Sequence, residues 1–206
     1  IERFRYLQAY DLAAYQNRFA DSIKQAGDLF EKTKDPVLKY RAGSLVANLA
    51  AINRNFSVGL RYLNATLPIR SQIKDKSIRQ EGIGSAATLY NQIGQHKIGL
   101  QYAEEILADN PGPRQRCLAG WIQADAKRVL NLLPADDASL KSVVSQCESI
   151  KENIWSNLVV SVLARKWASE GRLDDAIKSL ESSLPSVNAT RYPRLIAEFR
   201  SILAEL

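Results

Sequence analysis

The sequence predicts an all-α fold of about five antiparallel helix pairs followed by a further C-terminal helix, and three observations carry that prediction. A small residue followed by an aliphatic one recurs as Ser22-Ile23, Gly59-Leu60, Gly99-Leu100, Ser139-Leu140 and Ala176-Ile177, at intervals of 37, 40, 40 and 37 residues. Between these markers the apolar residues keep helical spacing, as in Val46, Leu49, Ala50 and Ile52, then Leu60, Leu63 and Leu67. The breaks fall where helix ends belong, at Asp35-Pro36, Gly94-Gln95, Asn110-Pro111-Gly112-Pro113, Leu133-Pro134, Gly171-Arg172 and Leu184-Pro185.

Taken in order, the first pair is expected at roughly 2–17 and 19–33, with Phe19 three residues ahead of its small-aliphatic marker. The second pair, at about 37–54 and 56–73, repeats that arrangement with Phe56. The third, at about 76–93 and 96–109, places His96 at the same offset, where packing at a helix start is its expected role. The fourth, at about 113–131 and 136–151, departs from the pattern with Asp136. The fifth, at about 154–170 and 173–184, restores it with Leu173 and ends before Pro185. A last helix over about 191–206 opens at Tyr192-Pro193 and carries an apolar stripe from Leu195 to Leu206. The run Leu158 to Leu163 could pass for a strand, but it continues into Ala164-Arg165-Lys166-Trp167 without a turn signal and reads as helix.

Composition narrows the chemistry. The chain has 206 residues, a net charge of +6, 46% hydrophobic and 24% charged residues, which is enough apolar material for a substantial core. With a single histidine and two cysteines, His-rich or Cys-rich metal sites are not available, and the expectation is a non-enzyme that needs no cofactor. The longest charge-free run, Gly82 to His96, is too short and polar to cross a bilayer. Methionine is absent and residue 1 is Ile, so a single helical-repeat domain over 1–206, cut from a longer protein, is expected. The stripe persists to Leu206, so part of it is expected to be exposed, with a homo-oligomer through the C-terminal helix as one way to cover it.

The order small, aromatic, Gly, small, Pro in Ala87, Tyr90, Gly94, Gly99 and Pro111 resembles the tetratricopeptide repeat, and Ala164, Trp167, Gly171 and Ala176 repeat most of it. Intervals of 37 to 40 exceed that family's 34 residues and suggest longer helices. The resemblance implies a right-handed superhelical solenoid whose first helices line a concave, protein- or peptide-binding surface. The stretch Arg191 to Phe199 is similar to helical sensor regions that precede the catalytic domain of some bacterial diguanylate cyclases. That likeness implies the sensor or interaction region of a larger signalling receptor, with a periplasmic location favoured over a cytoplasmic one.

Counting eleven residues back from the last four markers gives Asn48, Thr88, Arg128 and Arg165, one polar residue per first helix. Four residues further back stand Ser44, Gly84, Ala124 and Ser161, all small, which together describe an open groove. Arg41, Asn91 and Trp121 lie near this row. Arg128 and Arg165 suit an acidic partner, because guanidinium groups pair with carboxylates bidentately. Tetratricopeptide domains that clamp a C-terminal carboxylate use Lys with Asn; Asn48 and Asn91 are present but the Lys partners are not, so that activity is not assigned. One alternative is a sensor closing over a carboxylate-bearing metabolite, and another is a regulator that binds nucleic acid through a different domain.

Direct nucleic-acid binding is not expected despite a pI near 9.3, because charges of both signs are interspersed and no dense basic run occurs. Gly82-Ile83-Gly84 lacks the third glycine and preceding strand of a dinucleotide loop. Cys117 and Cys147 fall at similar heights in one predicted hairpin. Two buried thiols are the expected state; a disulfide is the alternative and would imply an oxidising compartment.

Overall fold

The computed structural model describes residues 1–14 and 16–206, which form eleven α-helices and no strand among the described residues. In order they are α1 Glu2–Ala14, α2 Phe19–Lys32, α3 Pro36–Ile52, α4 Phe56–Thr66, α5 Lys76–Gln92, α6 His96–Ala108, α7 Pro113–Val129, α8 Ala138–Ser149, α9 Asn153–Ser169, α10 Leu173–Ala189 and α11 Pro193–Glu205. Tyr15, within the expected first helix, lies outside the described residues.

Helix starts follow from local chemistry. The Asp35 carboxylate accepts the backbone N–H groups of Val37 (2.8 Å) and Leu38 (3.3 Å), filling two donors left free at the start of α3, and Pro36 supplies the first helical φ. Asp75 caps α5 through the N–H of Ile78 at 3.1 Å. Between helices the chain reverses through left-handed residues: Gly94 and Gly171 after α5 and α9, but also Arg54, Asn131, Lys151 and Arg191.

Contacts divide the chain into two compact units, Ile1–Asn110 and Pro111–Leu206. Within the first unit, α1 packs on α3 and α3 on α5, while α2 and α4 pack on the first helix of the following pair. The second unit repeats the scheme: α7 packs on α9 and α9 on α11, with α8 on α9 and α10 on α11. The small residues sit where helices close in. Ala47, Ala87 and Ala164 are fully buried, and a Cβ built on Gly99 would meet the Asn91 side chain (2.8 Å to Cγ) and the Ala87 carbonyl oxygen (3.0 Å). Gly82 lies inside α5, not in a loop, and leaves room for the Tyr40 ring.

Four expectations are corrected. α4 stops at Thr66 and continues as a 3-10 turn over Leu67–Gln72, because Pro68 interrupts the α-helical ladder. α10 runs through Pro185 to Ala189: Pro185 is exposed, and the burial of Val187 holds the final turn. In the α11 stripe Leu195, Phe199 and Ile202 are buried, while Ile196, Leu203 and Leu206 are only partly buried against the same cluster, so part of the stripe stays accessible as expected. Cys117 and Cys147 are joined as a disulfide between α7 and α8, with Cα atoms 5.3 Å apart, in place of two thiols.

The fourth repeat is also out of register with the count made from the sequence. In α8 Leu140 is buried and Ser139 exposed, and a long connection (130–137) separates α7 from α8. The four first helices α3, α5, α7 and α9 each span 17 residues, and their twelfth residues are Ala47, Ala87, Ala124 and Ala164. On that register Asp125, not Arg128, corresponds to Asn48, Thr88 and Arg165.

Candidate functional site

In the first unit, α3 presents Arg41, Ser44 and Asn48 at spacings of three and four, which places them on one helical face. The Arg41 guanidinium lies over the Tyr6 ring of α1, 4.3 Å from its centroid. Burial and the nearby Glu81 carboxylate of α5 push the Tyr6 phenol up to about 12, with Arg41 opposing, so the phenol stays protonated at neutral pH. Arg41 Nε is buried without a hydrogen-bond partner. Ser44 is 5% exposed, and its Oγ is likewise unpartnered. Among the described residues neither the Arg41 guanidinium nor the Glu81 carboxylate has an ion-pair partner within 4.0 Å. Asn48 is half-buried, and Thr88 is buried on α5, at the same register as Asn48.

Asn91 is not part of this row. It lies under the close approach of Gly99, so its side chain serves the α5–α6 contact.

The corresponding face of the second unit is closed by its own side chains. Arg128 pairs with Asp125 at 3.2 Å, and Arg165 of α9 pairs with Glu205 of α11 at 3.5 Å. The Ser161 hydroxyl donates to Glu198 Oε1 at 3.0 Å. Trp121 is half-buried against the core cluster of its own unit. The two arginines expected to receive an acidic partner therefore already hold carboxylates, and the shared register first assigned to them does not hold.

Elsewhere in this unit a dense polar knot ties the 130–137 connection to α9 and α10. Asp137 accepts from Lys166 Nζ (2.9 Å), Trp167 Nε1 (2.8 Å) and Arg172 Nη1 (3.0 Å), and Lys166 also reaches Glu170 (2.7 Å). Burial raises the Asp137 pKa, but these donors outweigh it and hold the carboxyl well below the usual carboxylate range. Its charged groups pair with one another within the chain, which marks it as structural.

Sequence reasoning missed two residues of the first-unit face. Glu81 stands forty residues after Arg41, the same interval that separates Gly59 from Gly99, so the repeat phase contained the signal. Tyr6 carried none, because its role depends on the packing of α1 against α3. No protein-family model matches the chain, and no curated protein does.

Proposed function

We propose that the chain is a non-catalytic recognition scaffold of the helical-repeat kind, a right-handed solenoid that takes a protein or peptide on the first-helix face of residues 1–110. The observation that carries this reading is the row Arg41, Ser44 and Asn48 on one face of α3, in which Arg41 Nε and Ser44 Oγ are buried without a hydrogen-bond partner where buried polar groups are ordinarily paired. A place as the sensor or interaction region of a larger bacterial signalling receptor, on the periplasmic side, is supported by the Cys117–Cys147 bridge, since disulfides persist in oxidising compartments.

Selection of displayed peptides against the chain tests the face itself. Enriched peptides should bind Asn48→Arg about tenfold or more weakly, because the substitution adds bulk and charge to the row. Equal affinity for both proteins would remove the face from recognition.

A further inference from the structure

On the side opposite its core contacts, α1 carries large apolar side chains in the open. Phe4 is 63% and Leu7 59% exposed, and Gln8 and Asp11 complete the same face at helical spacing. Apart from the adjoining Ile1, no other large apolar residue among those described is as exposed. With Gln25 of α2 this face lines a groove of about 610 Å³. The repeat phase identifies its counterparts further along the chain. The Ser22 hydroxyl donates to the Ala9 carbonyl oxygen at 2.6 Å, and a Cβ built on Gly59 or Gly99 would stand 3.5 or 3.0 Å from the carbonyl oxygens of Ala47 or Ala87. Ala9, Ala47 and Ala87 are therefore equivalent, and Phe4, Leu7 and Asp11 take the positions of Ala42, Leu45 and Leu49 in α3. Those three residues are buried in one cluster with Tyr6, Ala9, Ala26 and Phe30 of the preceding pair. The face that α3 covers with helices is thus open on α1. Stacking of the same kind does not fit it, because α3 and α5 hold Ala42 and Gly82 where α1 holds Phe4, and Gly82 leaves no space for a Cβ beside Tyr40. Asp11 likewise brings a charge where Leu49 and Leu89 are buried.

We infer that the α1 face binds a second copy of this chain, with the two α1 helices antiparallel about a twofold axis beside Leu7 and Gln8. Such a contact is isologous, so Phe4 of each copy lies opposite Asp11 of the other, over the groove beside Gln25. Arg3 and Arg5 of one copy then flank Asp11 of the other, each displaced by about 1.5 Å along the helix axis. Within its own chain the Asp11 carboxylate accepts from Gln16 Nε2 at 2.7 Å, but among the described residues it meets no cation. Arg3 and Arg5 are exposed and make no ion pair among those residues. Antiparallel copies match these charges twice, whereas parallel copies set like charges side by side, so the charges select one arrangement. Burying Phe4 and Leu7 supplies the apolar centre that a specific contact needs.

Sedimentation equilibrium over a concentration series tests this. The mass of the chain should rise from 23.0 kDa toward twice that value. Phe4→Lys with Leu7→Lys should weaken association about tenfold or more, because exposed apolar anchors become charges. Asp11→Arg alone, and Arg3→Asp with Arg5→Asp alone, should each remain monomeric, since every charge contact between identical copies becomes repulsive. Mixed with each other, these two variants should associate, because every contact is again between opposite charges. All the substituted positions are exposed, and circular dichroism of each variant confirms that the helices are retained. The inference is overturned if the unmodified chain stays monomeric throughout the series. It is equally overturned if a dimer forms but ignores Phe4→Lys with Leu7→Lys, which would assign association to another face, such as the accessible part of the α11 stripe. Charge variants that fail to associate when mixed, while the unmodified chain dimerises, would overturn the antiparallel pairing.

Discussion

Gly99 and Asn91 show how far single residues can be read. The small-aliphatic phase marks Gly99 as a close approach, and the structure places the Asn91 side chain and the Ala87 carbonyl against it. Gly99→Leu should therefore overpack the α5–α6 contact and cost about 1–3 kcal/mol in urea denaturation. A neutral substitution would mean that the two helices are further apart than described. Asp137 was invisible in the same sequence, because its partners Lys166, Trp167 and Arg172 lie about thirty residues away and no spacing rule links them. Its pKa is depressed in the folded chain, so its contribution is present above the unfolded value of about 4 and is lost as pH falls toward the folded value. Asp137→Asn should cost about 2–3 kcal/mol at neutral pH by leaving Lys166 short of a buried partner, and should flatten the loss of stability in acid. An acid limb unchanged by the substitution would assign that limb to other carboxylates.

At the scale of helices, type and order were legible because periodicity and breaks agree along the whole chain. Register was legible only where the turn between paired helices stays short. The 130–137 connection displaces α8 relative to α7, so counting back from Ser139 selected Arg128 where the structure puts Asp125. The turns also hold strain that sequence patterns concealed. Arg54 and Lys151 adopt φ of 56° and 61°, a region that disfavours side chains, whereas Gly94 and Gly171 fill equivalent reversals without that penalty. Lys151→Gly and Arg54→Gly should each stabilise the chain by up to about 1 kcal/mol in thermal unfolding, since relief of the left-handed strain outweighs the added freedom of the unfolded chain. Destabilisation by both would show that these side chains contribute packing greater than the strain.

For the whole molecule, the helical class was readable from composition and period, while the division near Asn110 and the bridge within the second unit depend on distant contacts. The bridge closes a loop of sequence separation 30, so Cys117→Ala with Cys147→Ala should cost roughly 3–4 kcal/mol. Tryptophan fluorescence reads this unit selectively, because Trp121, Trp155 and Trp167 all lie within it. A tryptophan-detected midpoint that ignores the double substitution would contradict a bridged native state.

Among the described residues Arg41 of the first unit has no carboxylate partner, whereas Arg128 and Arg165 of the second unit pair with Asp125 and Glu205, and this contrast is the centre of the account. Affinity for selected peptides, measured on Arg41→Gln beside Arg128→Gln with Arg165→Gln, tests it most directly. Arg41→Gln should lose about tenfold or more in affinity, and the double variant should stay within about twofold, since its guanidinium groups already hold carboxylates of their own unit. Binding that survives loss of Arg41 and collapses with Arg128 and Arg165 would contradict the account and return recognition to the second unit.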